Sequence, residues 1–129
     1  MPDVLRFEGV TVEHRSRTRA PARILYDVSF SIQPGEAYGL VGESGCGKST
    51  IALAVMRALP QGMAVTAGRV AFSGEDIYRL SDQELRRMRG NRVAMIYQDP
   101  MSSLNPVMTI DEIAAAGNSV MCGQTKIIP

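Results

Sequence analysis

The sequence predicts an α/β fold in which a strand, a glycine-rich loop and a helix follow one another, preceded by a small antiparallel β layer. Three observations carry this. Residues 42–50 (GESGCGKST) match G-x-x-x-x-G-K-[ST], the phosphate-binding loop called Walker A. The flanks of that loop suit it: residues 37–41 (AYGLV) form a short apolar run fit for a buried strand, and residues 51–59 (IALAVMRAL) are rich in helix formers. Ahead of these lie two segments of strand character, close in sequence and joined by a polar loop, for which an antiparallel pair is the simplest arrangement.

The first of those segments is 4–12 (VLRFEGVTV), with Val4, Phe7, Val10 and Val12 as core positions and an irregularity expected at Gly9. Residues 14–23 make a polar, basic loop closed by Ala20-Pro21. The second strand is expected at 24–32, where Val28, Phe30 and Ile32 alternate with polar residues. Gln33-Pro34-Gly35-Glu36 has proline then glycine as a type II turn prefers. Pro60-Gln61-Gly62 ends the helix that follows the phosphate loop. A short strand at 69–73 is closed by Gly74-Glu75-Asp76. Ser81-Asp82-Gln83-Glu84 is a capping-box signature opening a helix to about Arg89, stopped at Gly90-Asn91. Residues 92–97 (RVAMIY) read as an apolar strand of a parallel sheet. A second capping box, Thr109 to Glu112, opens a helix through Ala116 that Gly117 breaks.

Composition narrows the function. The chain has 129 residues, 45% hydrophobic and 21% charged, with a formal charge of +1, an ordinary globular balance that argues against a dedicated nucleic-acid binder. Arg15, Arg17, Arg19 and Arg23 form one basic cluster and Arg86, Arg87, Arg89 and Arg92 another; both read first as solvated faces, and the first also suits anionic lipid headgroups. Two cysteines make no disulfide framework, and Cys46 lies inside the phosphate loop, where a bridge would block it, so a reducing compartment is expected. No apolar run reaches the roughly 18 residues of a membrane span.

Each position of the loop has a physical task. Gly42, Gly45 and Gly47 allow positive φ and close approach of a phosphate. The loop amides then form an anion nest, reinforced by the N-terminal end of the helix dipole. Lys48 reaches the outer phosphates, the Ser49 hydroxyl ligates Mg²⁺, and Thr50 bonds an inner phosphate or caps the first turn. A ligand-free turn is the plain alternative, but it would not need Lys-Ser after its glycines.

With residues 97–106 (YQDPMSSLNP) added to the phosphate loop, the sequence resembles the N-terminal part of an ABC transporter ATP-binding subunit, and within that family the dipeptide, oligopeptide and nickel importers. The likeness covers roughly residues 4–116. It implies a P-loop NTPase core of ABC type, with an N-terminal antiparallel β subdomain and an incomplete central sheet. It also implies ATP and Mg²⁺ as cofactors. Gly42, Glu43, Ser44, Gly45, Cys46, Gly47, Lys48, Ser49 and Thr50 would hold the triphosphate. Gln98 takes the place of the Q-loop glutamine at the metal and the attacking water, so Ser49 and Gln98 are the expected metal contacts. The stretch after Gln98 matches the segment facing a permease. His14 stands where the family places an adenine-stacking aromatic; a plain surface histidine is the alternative, and Tyr26 a less suitable substitute.

The resemblance further implies transmembrane permease subunits and a second ATP-binding subunit as partners, no nucleic acid, and a location on the cytoplasmic face of the membrane. The family's signature motif, Walker B aspartate, catalytic glutamate and switch histidine have no counterpart in these 129 residues. A partial ATP-binding domain over residues 1–116 and a divergent tail over 117–129 are therefore expected, with no catalytic residue and no useful hydrolysis by the chain alone. Rival readings are a small P-loop phosphotransferase, which leaves the Gln98 stretch unexplained, and a remnant that does not fold.

Overall fold

The computed structural model describes residues 2–43 and 47–96. Its contacts divide the chain into two compact units, Met1–Leu80 and Ser81–Pro129. The first is organised by a four-stranded antiparallel sheet of order β2-β1-β3-β4, with β1 at Leu5–His14, β2 at Ala22–Ile32, β3 at Met63–Phe72 and β4 at Glu75–Asp76. The expected antiparallel pair is present, in register from Leu5 opposite Ile32 to His14 opposite Ala22. Phe7, Val10, Val12, Val70 and Ile77 are fully buried and form the centre of the core.

Three residues that bend this sheet lie side by side on neighbouring strands. Gly9, Asp27 and Gly68 have φ of 56°, 47° and 85°, and the register of β1 shifts against both neighbours around them. A Cβ at Gly68 would stand 2.3 Å from the Gly9 carbonyl oxygen, so only glycine lets β3 approach there. Thr11 Oγ1 accepts from the Asp27 amide at 3.2 Å, and Ser29 Oγ accepts from the Gly9 amide at 2.8 Å, covering donors that the bulges take out of the ladder. The irregularity expected at Gly9 is thus one part of a feature that crosses three strands.

Several local expectations hold. Gly35 has φ 76° and the Glu36 amide donates to the Gln33 carbonyl at 3.1 Å, as a type II turn requires. In the second unit, helix α2 spans Asp82–Asn91 behind the Ser81–Glu84 capping box, and Leu85 and Met88 are its buried residues. The Ser81 hydroxyl and amide both donate to Glu84 Oε2, at 2.8 Å each, and hold that carboxyl below the usual glutamate range.

Other expectations are corrected. Residues 37–41 form no strand: Tyr38, Leu40 and Val41 are exposed, and their backbone pairs with no strand among the described residues. Their apolar pattern suits a central strand, but a strand exists only with a partner. Residues 93–96 likewise carry no strand, with Ile96 exposed. Strand β3 starts at Met63 rather than 69, because the far half of β1 supplies partners as far as His14 opposite Met63. Asp76 and Glu75, expected as turn, pair with Ala71 and Phe72 across Ser73-Gly74, both at positive φ. The loop between β1 and β2 narrows to residues 15–21. Gln98, the helix expected from Thr109 and the boundary at 116/117 lie outside the described residues.

Candidate functional site: the phosphate loop and the start of helix α1

Helix α1 spans Lys48–Val55, starting three residues earlier and ending four residues earlier than its apolar run suggested. It starts early because Gly47, at φ 97°, turns the chain directly into the helix as its N-cap, with no side chain hydrogen-bonded to the cap. It stops early in a Schellman motif. Arg57, at φ 49°, donates its amide to the Ala54 carbonyl at 3.1 Å, and the Ala58 amide donates to the Leu53 carbonyl at 2.9 Å.

Both ends of α1 are held by residues that the motif does not include. At the start, Gly47 lies on β2: a Cβ there would meet Leu25 Cδ2 at 2.6 Å and the Ile24 carbonyl oxygen at 3.4 Å. At the far end, the Tyr78 hydroxyl donates to the Ala54 carbonyl at 3.0 Å, and Arg57 Nη1 donates to the Leu80 carbonyl at 2.8 Å. Tyr78 sits in the 3₁₀ turn Ile77–Arg79, capped by Asp76. Burial pushes its phenol up to about 12, with the Asp76 charge adding to the rise and Arg57 opposing it. It is therefore a permanent donor near neutral pH. No spacing in the sequence links residue 25 to 47 or 78 to 54; packing alone does.

Lys48 is the cation of the site. Its ammonium donates back across the loop to the Gly42 carbonyl and, at 2.8 Å, to the Glu43 carbonyl. Gly42, Glu43, Gly47 and Lys48 are thereby drawn together, while Ser44, Gly45 and Cys46 lie outside the described residues. Ser49 is exposed at the second helical position and Thr50 is buried at the third. Among the described residues no group of three His, Cys, Asp or Glu side chains could cage a metal. Among the described residues, the Ser49 hydroxyl is the group that could share a Mg²⁺ ion with ligand phosphates, which is how this ion is commonly bound. The donor set of ammonium, hydroxyl and helix-start amides suits an anion.

His14 ends β1, opposite Ala22 on one side and Met63 on the other. It stands two positions beyond Val12, whose partner Leu25 backs Gly47, so it belongs to the same end of the sheet as the phosphate loop. Gly62, at φ 88°, sits against its ring; a Cβ there would lie 3.2 Å from Nε2. Tyr26 is exposed and covered by Arg23, whose guanidinium carbon is 4.6 Å from the ring centroid. Two surface depressions, about 530 and 180 Å³, are lined by residues of β1 and β2 and by β3 with Tyr78, and neither includes a residue of the loop.

The sequence profile of the ABC transporter family matches residues 25–126. The chain belongs to that family. It is 52% identical over 89 residues to a probable peptide ABC transporter ATP-binding protein of Sinorhizobium fredii, covering 68% of this chain and 27% of that protein. It is 49% identical over 86 residues to the dipeptide transport ATP-binding protein DppD of Bacillus subtilis, covering 66% and 26%. The chain thus spans about a quarter of the length of these two relatives. Among solved structures, a bacterial ABC transporter cassette determined as a dimer superposes with a TM-score of 0.70 at 25% identity, covering 84% of this chain and 44% of that one. No helix among the described residues is long and apolar enough to cross a membrane.

Proposed function

We propose that this chain is the ATP-binding part of an importer motor subunit that drives uptake of peptides or similar solutes. The observation that carries the reading is Lys48: its ammonium is held across the loop by the Gly42 and Glu43 carbonyls, at the start of a helix whose N-cap carries no side-chain bond. Gly42 to Thr50 bind the triphosphate. Lys48 would reach its outer oxygens, and Ser49 with Gln98 would hold Mg²⁺, which would supply positive charge to the phosphates. His14 offers its ring to the base. The peptide names of the two relatives support the solute class. A second ATP-binding subunit and permease subunits are the partners in this reading, at the cytoplasmic face of the membrane.

Titration with a fluorescent ATP analogue tests it. Lys48→Ala removes a charge-assisted contact and should weaken binding by about tenfold or more. His14→Tyr should tighten binding by about twofold to tenfold through greater stacking area. Unchanged affinity in Lys48→Ala would mean that the loop is not the nucleotide site.

A further inference from the structure

The loop between β1 and β2 is the most concentrated positive charge on the first unit. Between residues 13 and 23 stand four arginines, Arg15, Arg17, Arg19 and Arg23, against one carboxylate, Glu13. Glu13 is shared, 3.9 Å from Arg15 and 4.0 Å from Arg23, with both arginine side chains largely exposed. Arg17 and Arg19 reach no carboxylate among the described residues, and every residue from 17 to 24 is exposed. The loop is nonetheless held in shape. The Arg15 amide donates to the Gly62 carbonyl at 2.8 Å, and Ser16 Oγ takes the Thr18 amide at 3.3 Å. The cost of ordering four long side chains against a flat partner is lower on such a loop than on a free coil.

Apolar groups accompany the charge. Ala20, Pro21 and Ala22 are exposed at the loop's end, followed by Ile24 at 36% and Tyr26 at 67% exposure. Arginines interleaved with small apolar residues and an exposed tyrosine are the composition of a surface that rests at the headgroup level of a bilayer. A whole-chain charge of +1 gives no wider basic face for a nucleic acid to follow.

We propose that residues 15–26 form a docking surface for an anionic lipid bilayer, Arg17 and Arg19 engaging headgroup phosphates while Ile24 and Tyr26 lie at the interface. Its arginines lie outside residues 42–50, and engaging them requires no bound nucleotide. The test is co-sedimentation of the full chain with phosphatidylcholine vesicles, with and without phosphatidylglycerol. Binding should require phosphatidylglycerol and weaken as salt rises. Arg17→Gln with Arg19→Gln should lower the partition coefficient by about 25-fold, on the order of fivefold for each arginine. Arg86→Gln with Arg87→Gln, on α2, should leave vesicle binding unchanged, as should Lys48→Ala, so failure of the nucleotide reading would be seen separately. Equal binding to neutral vesicles, or no loss in the Arg17/Arg19 variant, would overturn the proposal. Release by millimolar inorganic phosphate at constant ionic strength would assign the loop to free phosphate. Tighter binding to a single-stranded RNA than to the vesicles, lost in the same variant, would assign it to nucleic acid; both of these outcomes also overturn it.

Discussion

Strand β1 and residues 37–41 are both short runs with valine and an aromatic residue, separated by little more than one strand, yet their outcomes are opposite. Val12 in β1 has no exposed surface, whereas Val41 is 98% exposed. Strand β1 has β2 on one side and β3 on the other, so it is paired along both edges and its side chains find the core. Residues 37–41 follow directly from the turn after β2, yet β2 ends the sheet and its outer edge takes no strand among the described residues. Tyr38 stacks on Phe30 at 5.1 Å, which itself stacks on Phe7 at 4.7 Å. Apolar composition makes a segment ready to be a strand, and a neighbour makes it one.

The largest expected effect comes from adding a methyl group in each region. Gly68→Ala forces a Cβ against the Glu8 and Gly9 carbonyls at positive φ and should cost about 3 kcal/mol, read as a lowered urea midpoint. Gly39→Ala has nothing within 4 Å and should change stability by less than about 0.5 kcal/mol. A substantial loss in Gly39→Ala would mean that residues 37–41 are packed in solution, and the contrast would fail.

A smaller effect tests what holds α1, the helix that follows the unpaired run. Its far end is tied through Tyr78 and Arg57 to the segment after β4. Arg57→Ala should lose about 1.5 kcal/mol with the bond to Leu80. Arg57→Gly loses the same bond but relieves a left-handed residue, by about 1 kcal/mol, and should end close to the parent protein. Equal losses in the two variants would place the whole effect in the side chain and none in the backbone.

The smallest effect belongs to a contact made within the first turn of α2. Ser81→Ala removes the cap of α2 and should cost about 1 kcal/mol, seen in far-ultraviolet circular dichroism and thermal melts. The Glu84 carboxyl is held low by the Ser81 amide and hydroxyl, so its contribution is fully present above the ordinary value near 4.5 and disappears as pH falls through the lower folded value. The gap between the parent protein and Glu84→Gln should therefore be widest near neutrality and close in acid. A gap that widened in acid would show the opposite sign and remove the carboxylate from the cap.

The features that sequence alone determined here are those whose partners lie within a few residues. Pro34-Gly35 specifies its turn because the constraint is on two φ angles. Ser81 and Glu84 specify a helix start because cap and capped amide are three positions apart. Gly47 and Lys48 specify a helix start because the cap and the first helical residue are consecutive. What the tertiary structure decided depends on residues far apart in the chain. Met63 begins β3 only because His14 is opposite it. Gly68 is obligatory only because the Gly9 carbonyl lies against it. Helix α1 is seated by Leu25 at one end and Tyr78 at the other, and residues 37–41, as apolar as any strand in the sheet, remain outside it. Local conformational preference acts through a few torsions and is written in neighbouring letters, whereas pairing and burial require a surface that distant segments must first assemble.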